Sequence, residues 1–203
     1  MAGDPGNPTR KETPVQAFQT LRDQFLIAMP ALEDDNFQRS VTYICEHTED
    51  GAIGIVLNRP ADVTLGDLLS HMELPCSTTV PASTPVYLGG PVQRERGFIL
   101  CRAGPEETID EGLRVSSEIV VSTSRELLRS IADGRGPSRY LIALGYAGWG
   151  GGQLEQELAD NSWLTGPADP EIIFELACEQ RWQAAARKLG IDIHLIANLA
   201  GHA

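Results

Sequence analysis

Residues 41–57 contain Val41-Thr-Tyr-Ile-Cys-Glu46, then Glu49-Asp50-Gly51, then Ala52-Ile-Gly-Ile-Val-Leu57. Two runs rich in β-branched and aromatic residues flank a short loop ending in Asp-Gly, which is the signature of a β-hairpin. Asn58-Arg59-Pro60 ends the second strand. Upstream, Phe25-Leu-Ile-Ala-Met29 is a continuous apolar run stopped by Pro30, a buried strand. A short helix is expected to lead into it over Val15 to Asp23. Residues 1–14 hold Pro5, Pro8 and Pro14 with no apolar cluster, and read as a disordered tail.

Downstream, Thr64 to Met72 reads as a helix capped by Thr64, with Asp67 as a partial imitation of a capping box. Residues 73–85 form a Pro- and Ser/Thr-rich loop. Strands are expected at Val86–Leu88, entering Gly89-Gly90-Pro91, at Gly97–Cys101 and at Glu118–Ser122. Thr123-Ser-Arg-Glu126 is a capping box that opens a helix stopped by Asp133-Gly134. Tyr140–Tyr146 is a buried strand, followed by a glycine loop through Gly148-Trp-Gly-Gly-Gly152 and a helix from Gln153 to Asp160. Asp169-Pro170 starts another helix, broken near Cys178 and resumed from Glu179 to Leu189. Ile191–Ile196 is a last strand-like segment. Strands exceed what an alternating βαβ pattern supplies, so the class is α+β with a mixed sheet, in one domain over 15–203.

The 203 residues carry 16 Lys+Arg against 28 Asp+Glu, a formal net charge of −12. Such a polyanion is a poor partner for phosphodiester chains, whose binding needs Lys/Arg clusters. The tightest basic group, Arg94, Arg96 and Arg102, is interrupted by Glu95. No direct nucleic-acid contact is expected. The start MAGDPGNPTRKETP has no apolar stretch and no run suits a membrane span, so a cytoplasmic protein without membrane attachment is expected. None of the four Cys forms a CxxC pair.

Several chemical motifs are weighed and set aside. The glycine loop lacks the Lys-Ser/Thr of a P-loop and breaks the dinucleotide pattern, and Glu155 and Glu157 would repel a phosphate. Cys45 and His47 sit two apart on a strand and would share a face; a metal site with Cys101, His194 or His202 lacks ligand spacing, so no metal and no cofactor is expected. Cys45 and Glu46, being adjacent, would face opposite sides and could not act together. Trp149, Trp163 and Trp182 read as anchors of the core or of an interface rather than as a ligand platform. No catalytic constellation is recognisable.

A dozen short strings resemble, in order, the YqgE/AlgH family of bacterial proteins. They include Phe25-Leu-Ile-Ala-Met-Pro30, Tyr43-Ile-Cys-Glu-His47, Asn58-Arg-Pro60, Gly89-Gly-Pro91, Arg96-Gly-Phe98, Ala143-Leu-Gly-Tyr146, Gly152-Gln-Leu-Glu155, Asn161-Ser-Trp-Leu164, Arg181-Trp182 and Gly201-His-Ala203. The resemblance runs from about residue 24 to the end. It implies a single compact α+β domain with a mixed, partly closed β-sheet flanked by helices. One branch bears the label of a transcriptional regulator of alginate production, and no reaction, cofactor or catalytic residue comes with it. Many relatives place a His where this chain has Cys101.

Two functional expectations follow. The first is a cytosolic regulator acting through an unidentified protein partner or small ligand rather than by gripping DNA. The second is a small-ligand-binding protein or enzyme whose pocket is formed by loops at strand ends. Its candidate binding residues are Asn58, Arg59, Gly89, Gly90, Tyr146 and Gly148, the alternative being that these glycines only shape turns and Asn58 satisfies backbone groups.

Overall fold

The computed structural model describes residues 18–109, 111–193 and 195. The tail expected over 1–14, as well as His194 and His202, lies outside the described residues. The hairpin is β2 (Val41–Thr48) and β3 (Gly51–Val56), antiparallel with Thr48 opposite Gly51. β1 (Gln24–Ala28) pairs with β2 on one side and with β10 (Trp163–Pro167) on the other. The described part of the expected lead-in helix, residues 18–23, is not helical. It is held against β2 by Thr20 Oγ1 donating to the His47 carbonyl (3.0 Å) and by the Leu21 N–H donating to His47 Nδ1 (2.9 Å), and turns at Arg22–Asp23 into β1.

The centre of the sheet is β9 (Tyr140–Gly150), which takes in the expected glycine loop as far as Gly150 and leaves only Gly151 and Gly152 as a turn. Its first half pairs in parallel with β5 (Pro85–Leu88) and its second half antiparallel with β3, while β6 (Val92–Arg102) lines its other edge. The two halves meet at Gly145 (φ 73°). A Cβ there would stand 2.6 Å from the Gly90 carbonyl oxygen, and one on Gly90 (φ 154°) only 2.2 Å from the Tyr146 carbonyl carbon. Glycine is therefore required on both sides of this backbone crossing. β8 (Ile119–Ser122) and β7 (Gly112–Arg114) continue beyond β6, and β4 (Pro60–Thr64) pairs with β5. The main order is β10-β1-β2-β3-β9-β6-β8-β7.

The sheet curls into a half-barrel. Arg22, just before β1, donates from Nε to the Val115 carbonyl (3.2 Å) and from Nη2 to the Arg114 carbonyl, tying the β7 end back to the start. Inside lies the core formed by Phe25, Ile27, Tyr43, Ile55, Leu57, Tyr87, Leu100, Val121 and Leu141. One end is sealed by α4 (Pro170–Phe174) and α5 (Cys178–Lys188). Trp182 Nε1 donates to the Ala28 carbonyl (2.9 Å), and the buried Arg181 donates to the Leu57 and Leu176 carbonyls with its guanidinium 4.9 Å from the Tyr87 ring centre. Ion pairs Arg102–Glu171 (3.5 Å) and Arg139–Glu175 pin α4 to the barrel rim.

Two further cores lie outside the barrel. α1 (Leu65–His71) and α2 (Arg125–Ala132) cover Val86, Ile99, Cys101 and Ile142. The Thr64–Asp67 pair forms a complete capping box, because the Asp67 carboxylate reaches the Thr64 N–H (2.9 Å) despite its short stem. The cap of α2 is Ser124 rather than Thr123, bonded to the Leu127 N–H (3.3 Å). α3 (Gln153–Ala159) packs Leu154 and Leu158 beside Trp149 and Trp163. There Glu157 Oε2 accepts from both indole N–H groups, at 2.9 and 2.8 Å, so all three tryptophans are core anchors.

Strands β4, β7 and β10 are additions to the sequence-based expectation. The expected final strand is not formed in its described part. Ile193 and Leu195 are helical, and of Ile191, Ile193 and Leu195 only Ile193 is buried, where a strand would bury all three on one face.

Candidate functional site

The expected loop-borne residues divide among three places. Asn58 satisfies backbone, with Oδ1 accepting from the Val41 N–H and Nδ2 donating to the Arg39 carbonyl, both at 2.9 Å. Arg59 donates to the Asp35 and Gln38 carbonyls, and burial draws its pKa below the ordinary guanidinium value. Both line an open cleft of about 380 Å³ with Gln38, Arg39, Glu179 and Trp182. Gly89 and Gly90 lie against β9 instead. The Gly89 N–H donates to the Leu144 carbonyl and its own carbonyl accepts from the Val56 N–H, both at 2.8 Å. The Tyr146 ring packs against the barrel core and meets Phe98 edge-on at 5.7 Å, while Gly148 is exposed beside that ring.

The interior opens at the end opposite α4 and α5. This mouth is a cavity of about 210 Å³. Cys45, Ile55 and Val121 form its floor, and Ile53, Phe98 and Leu113 its walls. Ile53 and Leu113 are 38% and 39% exposed, high values for large aliphatic residues on an inner sheet face. Arg96, Glu46, Glu111 and Thr123 complete the lining. The Arg96 guanidinium lies 5.4 Å from the Phe98 ring centre, where stacking leaves its N–H edges open.

A β-bulge builds this site. The β2–β3 register steps from Ile44 opposite Gly54 to Glu46 opposite Ile53, so Cys45 has no cross-strand partner. The extra residue reverses the alternation. Cys45 and Glu46 consequently line the same cavity, contrary to the expectation that they face opposite sides. Cys45 and His47, expected on one face, are separated. His47 is buried on the outer face, where Nδ1 accepts from the Leu21 N–H and Nε2 donates to Glu155 Oε1 at 2.9 Å. Glu155 and Glu157 thus both serve side chains of the sheet.

The thiols of the barrel are held protonated. Burial, reinforced by Glu46 and opposed by Arg22, pushes Cys45 up to about 12. Burial likewise pushes Cys101 up to about 11 in the outer core, where it makes a 3.7 Å contact to the Val120 carbonyl. A neutral thiol is a weak nucleophile and a weak metal ligand. Among the described residues no three His, Cys, Asp or Glu side chains are grouped to hold a metal ion, and no helix is long and apolar enough to cross a membrane.

Sequence reasoning missed the mouth because its walls come from β2, β3, β6, β7 and β8. The bulge that turns Glu46 inward leaves no residue-type signature. Arg96 and Phe98, two apart before a strand-like run, are the one local signal for it.

The chain is similar to a UPF0301 protein of Thioalkalivibrio sulfidiphilus, 54% identical over 187 residues, covering 92% of this chain and 99% of the relative. A UPF0301 protein of Nitrosococcus oceani is 51% identical over 183 residues, covering 90% and 96%. The solution structure of the AlgH protein from Pseudomonas aeruginosa superposes with a TM-score of 0.73 at 44% identity, covering 96% of this chain and 100% of that one. A crystal structure of a Corynebacterium diphtheriae protein shares the fold at 23% identity and a TM-score of 0.69, covering 89% and 93%. Residues 25–194 match the AlgH-like family model, and the chain belongs to that family.

Proposed function

We propose that the protein is a cytoplasmic regulatory binding module that senses a small ligand in the barrel mouth. Any effect on transcription passes through that ligand or a protein partner, not through contact with DNA. The observation that carries this reading is the asymmetry of the barrel. One end is plugged by Trp182, Arg181 and the α4 ion pairs, while the other exposes Ile53 and Leu113 around an apolar cavity with a polar rim. Barrel mouths with an apolar floor and a few polar groups are common ligand sites. At about 210 Å³ the cavity suits a small metabolite rather than a nucleotide cofactor. The net charge of −12 supports the exclusion of DNA. Loop-borne binding at Asn58 and Arg59 is less favoured, because their polar groups are already engaged by backbone carbonyls and the Val41 N–H.

The test is a thermal-shift screen of a metabolite library on wild type and on Ile53→Glu, which places a charge on the cavity wall. A native-state ligand raises Tm by mass action. Hits are expected in wild type and absent in the variant. Hits that persist in Ile53→Glu, or salt-sensitive retention of the protein on promoter DNA, would refute the reading.

A further inference from the structure

We infer that the mouth takes a free α-amino acid with a large apolar side chain. The inference rests on the reading of the mouth as a binding site and concerns what fills it. The floor and walls are apolar, but both signs of charge line the mouth: Arg96, and with it Glu46 and Glu111. None of the three has an ion-pair partner among the described residues. Among the described residues the one side-chain hydrogen bond of Arg96 is a long 3.5 Å approach to Gln93 Oε1.

An apolar ligand would fill the floor and leave all three exposed charges of the lining without a partner. A simple carboxylate would satisfy Arg96 and strand two carboxylates. A simple amine would do the reverse. A zwitterion on an apolar body leaves neither sign unmatched, with its carboxylate toward Arg96 and Thr123 and its ammonium toward Glu46 and Glu111. At about 30 Å³ per water, the cavity holds roughly seven waters, room for leucine or phenylalanine.

The experiment is isothermal titration of the full chain with L-leucine, L-phenylalanine, isoamylamine and isocaproate, the last two being leucine lacking its carboxylate and its ammonium. At least one amino acid should bind about tenfold or more tighter than either single-ended analogue, the range expected for one lost charge-assisted contact. Arg96→Met, which keeps an apolar stem over Phe98, should weaken the amino acid and isocaproate about tenfold and leave isoamylamine unchanged. Glu46→Gln should weaken the amino acid and isoamylamine and leave isocaproate unchanged. Circular dichroism checks that both variants stay folded, and wild-type discrimination among the four ligands stands without them. Equal binding of leucine and isocaproate, indifference to both variants, or no binding of either amino acid at about 10 mM, a concentration above ordinary metabolite affinities, would overturn the inference. If the amino acids fail while other library hits vanish in Ile53→Glu, only the ligand class falls. If no library compound binds, the binding-site reading falls with it.

Discussion

Replacing Glu157 by leucine tests the carboxylate that joins α3 to two strands. One of its oxygens accepts from Trp149 Nε1 at 2.9 Å and Trp163 Nε1 at 2.8 Å, and the other accepts from Gln153 Nε2 at 2.9 Å. Both indoles are buried, and the rings stand edge-on 6.2 Å apart. Leucine keeps most of the volume and removes every acceptor. Each buried N–H left without a partner costs roughly 1–3 kcal/mol, so the two together should cost about 2–6 kcal/mol. For a chain of this size that lowers Tm by about 4–24 °C. Glu157→Gln should cost only about 1 kcal/mol, since the amide oxygen still accepts while its NH₂ faces another donor. Urea unfolding followed by far-ultraviolet circular dichroism reads both, and avoids a fluorescence signal that would itself change. A Glu157→Leu protein within about 0.5 kcal/mol of wild type, the range of ordinary surface substitutions, would refute the reasoning.

Alkaline titration should weaken the fold. Cys45 and Cys101 are raised above the free-thiol value of 9.0, to about 12 and about 11, so the folded state holds their protons more tightly than the unfolded one. The stabilisation is full below pH 9 and lost as pH rises toward 11–12, at up to about 1.4 kcal/mol per pH unit for each thiol; urea midpoints at pH 8 and 10.5, with Cys45→Ala showing a shallower fall, check it. In native protein at pH 8, iodoacetamide followed by mass spectrometry should label exposed Cys76 and leave Cys45 and Cys101 untouched until denaturant is added. Arg181→Met should cost about 2–4 kcal/mol by urea unfolding, because it removes a donor from both the Leu57 and Leu176 carbonyls. Gly90→Ala should lower expression of folded protein sharply, or cost at least about 2 kcal/mol, since its Cβ would stand 2.2 Å from the Tyr146 carbonyl carbon.

The hairpin at 41–57 was legible because both strands are long, β-rich and joined by Asp-Gly. Two helix starts are legible because Thr64 and Asp169 advertise their caps. The sequence pattern ends β9 at Tyr146 because the glycines at 148 and 150 read as a loop. They extend the strand instead, opposite β3, where close backbone packing and not side-chain propensity holds the register. β7 and β10 carry Gly and Pro in three and five residues, too little pattern to score against turns. In the site, the expectation that loops after strands converge groups Tyr146 and Gly148 with Asn58 and Arg59. Curling of the sheet packs Tyr146 on the barrel core and leaves Asn58 and Arg59 at the sealed end, beside Trp182.

The position of β9 in the sheet sets a timetable for synthesis. Its partners β3, β5 and β6 all precede it in the chain, and none completes its hydrogen bonding until residues 140–150 arrive. Translation from Arg102 to Tyr140 occupies roughly 2–8 s, during which half a barrel waits with open edges. Stalling a nascent chain before Tyr140 should leave it protease-sensitive and holdase-bound, whereas release past Gly150 lets both halves close together.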